Sequence, residues 1–186
     1  MMTIFYARLA AGSWRDERGV NAIDGGAPWY GVYETADGEY IAIGAIEGRF
    51  YAKLLERLGL DAATLPRQHD QERWPELRAH LRNKFKQKTR DAWCQLLAGH
   101  DVCFAPVLSL AEAPAHPHNR ARGTFIDRDG VLQPAPAPRF SRTPPSVERS
   151  APQRGEGGAA ALAEWGFDAA QIAQFRAGGA LIAVEQ

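Results

Sequence analysis

Charge of neither sign prevails in this 186-residue chain: 22 lysines and arginines stand against 22 aspartates and glutamates. That balance gives no electrostatic case for nucleic acid or an anionic membrane surface as partner. Long apolar runs are also missing, and none approaches the roughly 20 residues that cross a bilayer. The opening MMTIFYARLAAGSWRDERG turns charged too soon for a secretory signal. Cysteine is scarce. Cys94 and Cys103 are spaced to fit neither a redox pair nor a zinc knuckle. They read as reduced, inertly packed thiols of a cytoplasmic protein. No G-x-S-x-G elbow, P-loop or dinucleotide fingerprint occurs. His116 and His118 flank Pro117 without further ligands at metal-binding spacing, so no metal site is predicted. His69, His80 and His100 sit among charged or turn residues and read as solvated.

What remains is ordinary globular composition, 45% hydrophobic and 24% charged. The length suits one compact domain, or a small domain with an extension. Residues 1–29 are mixed and irregular and end in turn punctuation at Gly25, Gly26 and Pro28. Gly31–Thr35 and Glu39–Gly44 read as strands of a hairpin turning at Asp37-Gly38. The second strand, with Tyr40, Ile41, Ala42 and Ile43, is apolar enough to suggest cover on both faces. The neighbouring aromatics Trp29, Tyr30 and Tyr33 read as strand packing rather than a stacking platform.

Helical spacing follows. Phe50, Leu54, Leu55 and Leu58 mark one face of a helix over Gly48–Gly59, ended by Gly59. Trp74, Leu77, Leu81 and Phe85 mark a second over about 72–88, with Pro75 in its first turn. Its basic run, Arg78–Arg90, reads as a solvated face. Thr89 caps a third, with Asp91 in the first turn and Gly99 as stop. Val102–Leu108 is a short extended segment broken by Pro106. Most of the twelve prolines then crowd into 111–153. Pro117 opens a short helix there, Gly123 closes it, and Asp129-Gly130 turns a second hairpin. PAPAPRFSRTPPS reads as extended chain lying along a surface. Two terminal helices, Ala159–Trp165 and Asp168–Ala177, complete the chain, with Asp168 as N-cap.

One carboxylate stands out. Glu47 follows Ile-Gly-Ala-Ile and precedes Gly-Arg-Phe-Tyr, at the junction of a strand and a helix N-terminus. Such junctions point backbone N–H groups outward and suit ligands. One reading makes Glu47 an electrostatic cap. Another makes it a general acid or base, with its pKa raised by an apolar pocket and lowered by the helix dipole. Spacing does not choose between them.

The stretch GGAPWYGVYETADGEYIAIGAIEGRFYAKLLERLGL resembles the small domain of the α-methylacyl-CoA racemases, within the family III CoA-transferase superfamily. DVCFAPVLSLAEAPAHPHNRARGTF and PAPAPRFSRTP match in the same order, so the resemblance covers most of 15–145. Gly48-Arg49 departs from the Pro-Gln common in these racemases. The resemblance implies an α/β fold: residues 1–27 as a linker from a large domain, 28–110 as the small α/β domain, and 111–186 as a proline-rich, partly helical extension packing on a large domain. It implies an isomerase of lipid metabolism that inverts 2-methylacyl-CoA thioesters. Coenzyme A enters as part of the acyl-CoA substrate, with no tightly bound cofactor and no metal. It makes Glu47 catalytic on one face of the α-carbon, opposite an aspartate and a histidine of the large domain. It also implies a homodimer with the site between subunits. The family's N-terminal half, with that aspartate and histidine, has no counterpart in these residues. The chain is therefore expected to be inactive alone, or to associate with an N-terminal-half polypeptide. A CoA-transferase fragment and a non-catalytic interaction module are the other readings. AIE, and the lack of a glycine-rich loop carrying Gln, favour the racemase.

Overall fold

The computed structural model describes residues 2–181. The chain divides into two compact units, 1–111 and 112–186.

The first unit is built on an antiparallel three-stranded sheet with β2 (Tyr40–Gly44) between β1 (Tyr30–Glu34) and β3 (Phe104–Pro106). The hairpin forms where Asp37-Gly38 predicts it, and Gly38 takes a φ of 79° that a side chain would resist. Its tip is tied down from afar. Ala36 N–H donates to Lys88 O at 2.9 Å. The Asp37 carboxylate accepts from the Arg90 backbone N–H, each oxygen at 3.2 Å.

Registry then decides what is buried. Tyr33 lies opposite Ile41, and Gly31 opposite Ile43, on one face. Helices α2 (Gly48–Leu58), α3 (Trp74–Phe85) and α4 (Arg90–Leu97) supply Leu54, Leu77, Leu81, Phe85 and Trp93 to the same core, all fully buried. Truncating one of these leucines to alanine costs about 2–5 kcal/mol. One stop and one cap read from sequence hold, while α4 ends at Leu97 with Ala98 as its C-cap, ahead of Gly99. Gly59 takes the left-handed conformation after α2, and Thr89 accepts from Ala92 N–H ahead of α4.

Three expectations need correction in this unit. The second strand is covered on one face only. Tyr30, Val32 and Tyr40 project from the other face and are 40%, 57% and 46% exposed. Ala42, Gly44 and Ala105 share that face by register. Strand periodicity explains the error: alternate residues of an antiparallel strand face opposite ways, and small residues read as apolar without being buried. Residues 1–29 are not irregular throughout, because Thr3–Ala10 forms a helix, α1. It lacks an acidic first turn, a side-chain cap and any buried residue, hence the missing signal. After it, the buried Asn21 amide organises the chain: its Nδ2 bonds Arg15 O at 3.0 Å and Asp24 Oδ2 at 2.7 Å. The basic run is not uniformly solvated either. Arg78 donates to Gly25 O and Gly26 O at 2.7 and 2.8 Å, and Arg90, its side chain 11% exposed, pairs with Glu39 at 3.0 Å.

In the second unit, His116 caps the short α5 (Pro117–Ala121), accepting at Nδ1 from His118 N–H. A two-stranded hairpin, β4 (Phe125–Arg128) and β5 (Val131–Pro134), turns at Asp129-Gly130. The two terminal helices are α6 (Gly158–Glu164) and α7 (Ala169–Ala177). Asp168 and Gln171 close a capping box on α7. Phe167 and Phe175 meet edge to face there, while Phe140 and Trp165 stand exposed.

Candidate active site

Glu47 occupies the N-cap of α2 in an extended conformation, φ −73° and ψ 139°. Its backbone carbonyl accepts from Phe50 and Tyr51 N–H, both at 3.0 Å. Its side chain makes no capping hydrogen bond, and no ion pair joins it among the described residues. A carboxylate capping through direct bonding would accept from the second or third helical N–H. This one is exposed, and its oxygens stay free for another task.

Four hydrogen bonds fix the backbone that presents it. Gly44 N–H donates to Cys103 O at 2.8 Å, and Ile46 N–H donates to Gly44 O at 2.8 Å. The Gln68 amide nitrogen donates to Ala45 O at 3.1 Å and Ile46 O at 2.9 Å. Gln68 is held in turn, since its backbone carbonyl accepts from the Trp74 indole at 3.0 Å. The Trp74 ring meets Trp29 edge-on, centroids 5.1 Å apart.

Beside this junction lies the uncovered sheet face, an open depression of about 640 Å³ lined by Tyr30, Val32, Ala42, Gly44, Cys103 and Ala105, among others. Gly44 leaves the floor low: a Cβ there would lie 3.7 Å from the Tyr30 ring and 3.9 Å from Cys103 Cβ. Cys103 is exposed and has a φ of 51°, unlike the packed thiol expected from sequence. Desolvation pushes its pKa up, the negative charges of Glu47 and Asp101 add to that, and Arg49 opposes them. Glu47 therefore lies within electrostatic reach of a group lining the apolar face. Arg49 itself sits over the Phe50 ring, 4.4 Å from its centroid.

The other sequence candidates stay apart from this junction or serve the fold. His69 packs its ring edge-on to Trp29. Asp24 and Asp37 are engaged in turns, and both carboxyls lie below the usual range. For Asp24, desolvation acts upward but is outweighed by hydrogen bonds from Asn21, Gly26 and Gly19. For Asp37, the Thr35 hydroxyl is the main cause. Among the described residues no cluster of His, Cys, Asp and Glu could hold a metal. No helix there is long and apolar enough to cross a membrane. Gln68 and Cys103 carried no signal in the sequence. Gln68 reaches its partners across 22 and 23 residues, a distance at which no periodicity or cap rule applies.

A carboxylate at the rim of a three-stranded sheet, backed by three helices, defines a small-domain architecture that has relatives. The profile of CoA-transferase family III matches residues 1–157, and the chain belongs to that family. Within it, the chain is 47% identical over 166 residues to the α-methylacyl-CoA racemase of Mus musculus, covering 88% of this chain and 43% of that protein. It is 43% identical over 164 residues to the Homo sapiens α-methylacyl-CoA racemase, covering 87% and 43%. A CAIB/BAIF family protein from Brucella suis has a solved structure that superposes with a TM-score of 0.64 at 26% identity, over 88% of this chain and 44% of that one. The chain thus spans less than half the length of these relatives.

Proposed function

We propose that this chain supplies one acid–base face of an α-methylacyl-CoA racemase, with Glu47 as the catalytic carboxylate. The observation that carries this reading is the Glu47 carboxylate, free of hydrogen bonds and ion pairs among the described residues, three residues beyond Gly44, the strand end that lines the uncovered sheet face. Identity of 43–47% to racemases, against 30% to a Caenorhabditis elegans protein described only by the CoA-transferase family, supports racemisation over CoA transfer.

The chemistry balances simply. A carboxylate takes the α-proton, and the C–H electron pair moves into the enolate of the thioester. A second group returns a proton to the opposite face, and bond count and charge are restored. In the reverse direction Glu47, now protonated, delivers its proton. Opposite faces need two groups, because one carboxylate cannot reach both sides of a planar enolate. The second group and most of the coenzyme A contacts come from the remainder of the family fold, in a homodimer or in association with an N-terminal-half polypeptide. The chain alone is inactive on this reading, and its compartment is the cytoplasm.

The test is complementation. The chain is combined with the N-terminal segment of a racemase relative, and exchange of the α-proton of a 2-methylacyl-CoA is followed in deuterated solvent. Exchange with inversion in the complex, and none by either part, is the expected result. A stable complex without exchange supports the interaction module instead. Transfer of CoA to a free carboxylic acid supports the transferase.

A further inference from the structure

We infer that Gln68 is the positioning residue for Glu47, its side-chain amide clamping the two carbonyls that immediately precede the carboxylate. The inference deepens the reading of Glu47 as catalytic and rests on it for its relevance to turnover.

Gln68 is half-buried. One amide nitrogen bonds two consecutive carbonyls, Ala45 O and Ile46 O, from a loop 22 residues further along the chain. Two bonds to successive carbonyls fix the peptide plane between them, and with it the direction in which the next residue leaves. That next residue is Glu47. The clamp is itself anchored, because the Gln68 backbone carbonyl accepts from the Trp74 indole and the loop buries Leu65 and Pro66. Glu47 has no side-chain bond of its own to hold it. Its aim therefore depends on its backbone, and the Gln68 side chain fastens that backbone from the helical side while Cys103 fastens it from the sheet through Gly44. General acid–base catalysis is sensitive to such placement, since a misplacement of about 1 Å can cost about 10²-fold in rate.

Cys103 offers a readout that needs no substrate. The charged groups acting on its thiol are Glu47, Asp101 and Arg49. If the clamp holds Glu47 within electrostatic reach of this thiol, losing the clamp changes what the thiol feels. The experiment uses the whole chain with Cys94→Ser, leaving Cys103 as the thiol to be alkylated by iodoacetamide across pH. Glu47→Gln removes a negative neighbour, lowers the thiol pKa and speeds alkylation below it by about two- to fivefold, the span of an exposed charge pair. Gln68→Met keeps the length without donors, and Gln68→Asn keeps an amide too short to bridge both carbonyls. Each is expected to shift the profile towards that of Glu47→Gln, and to add nothing further when combined with it. Circular dichroism and thermal unfolding identify a variant that fails to fold; if Gln68→Met does, the milder Gln68→Asn carries the test. A folded Gln68 variant with the parent profile, or one additive with Glu47→Gln, overturns the inference. In the complemented complex, the Gln68 variants are expected to lower kcat by about 10- to 100-fold with KM nearly constant. Should the parent complex show no exchange, the racemase reading fails, while the thiol profile still decides whether Gln68 holds Glu47.

Discussion

Trp29 and Tyr51 meet edge to face, with centroids 6.2 Å apart and planes inclined by 67°. Both carry a polar atom into the core, the indole N–H and the phenol, that finds no hydrogen-bond partner among the described residues. Burial pushes the Tyr51 hydroxyl up to about 12. The ring fills the core while the hydroxyl gives nothing back. Tyr51→Phe keeps the ring and removes the unpaired group, whose desolvation costs about 1–3 kcal/mol. Denaturant unfolding is expected to show unchanged or greater stability. A loss beyond about 1 kcal/mol would mean that the hydroxyl has a partner in solution.

Gly26 is demanded by space. A Cβ there would lie 2.5–2.6 Å from the backbone of Val20 and Asn21, atoms that cannot rotate away. Gly26→Ala should push the 20–26 turn off its seat and weaken the Arg78 bonds to Gly25 O and Gly26 O. Overpacking of this kind costs about 1–3 kcal/mol. Thermal unfolding reads the loss, and Gly48→Ala is the control, since a Cβ at Gly48 would meet nothing within 4 Å.

Acid should loosen two turns before it melts the core. Asp24 and Asp37 both have carboxyl pKa values lowered in the folded state. A depressed folded pKa means that the unfolded chain binds the proton first as pH falls. The stabilisation is then fully present above the ordinary aspartate value of about 3.9 and is lost as pH drops through the lower folded value. Hydrogen exchange at the amides of Gly19, Asn21, Gly26 and Arg90, the donors to these carboxylates, is expected to rise selectively below about pH 4. Asp24→Ala should abolish the acid-dependent loss at the first three and leave the response of Arg90, which depends on Asp37, unchanged.

Local signals carried well from sequence to structure, and distant ones did not. Leu54, Leu55 and Leu58 fix the inward face of α2, Gly59 its end, and Asp37-Gly38 the hairpin, because each acts within a few residues of itself. The position of Glu47 at a strand–helix junction was legible for the same reason. Whether β2 had one covered face or two depended on what lies beyond the sheet, which Ala42 and Gly44 do not encode. Arg78 and Gln68 were opaque because their partners lie 52–53 and 22–23 residues away. A lone glutamine in TLPRQHD looks like any polar loop residue until the chain folds back on Ala45.

Glu47→Gln separates the catalytic reading from the capping one. Glutamine keeps the size and most of the hydrogen-bonding capacity but cannot take the α-proton. General acid–base groups contribute about 10²- to 10⁴-fold to rate. In the complemented complex, inversion is therefore expected to fall within that span. Exchange of the enantiomer whose α-proton faces the opposite group should suffer less, since that abstraction does not use Glu47. Stability should move by no more than the about 0.3–1 kcal/mol of one charge at a helix N-terminus. A cap predicts the reverse, a small loss of stability with turnover intact. The side chain makes no capping hydrogen bond in the folded chain, so the catalytic pattern is the one expected. Racemisation at the parent rate by the glutamine variant would remove Glu47 from the chemistry.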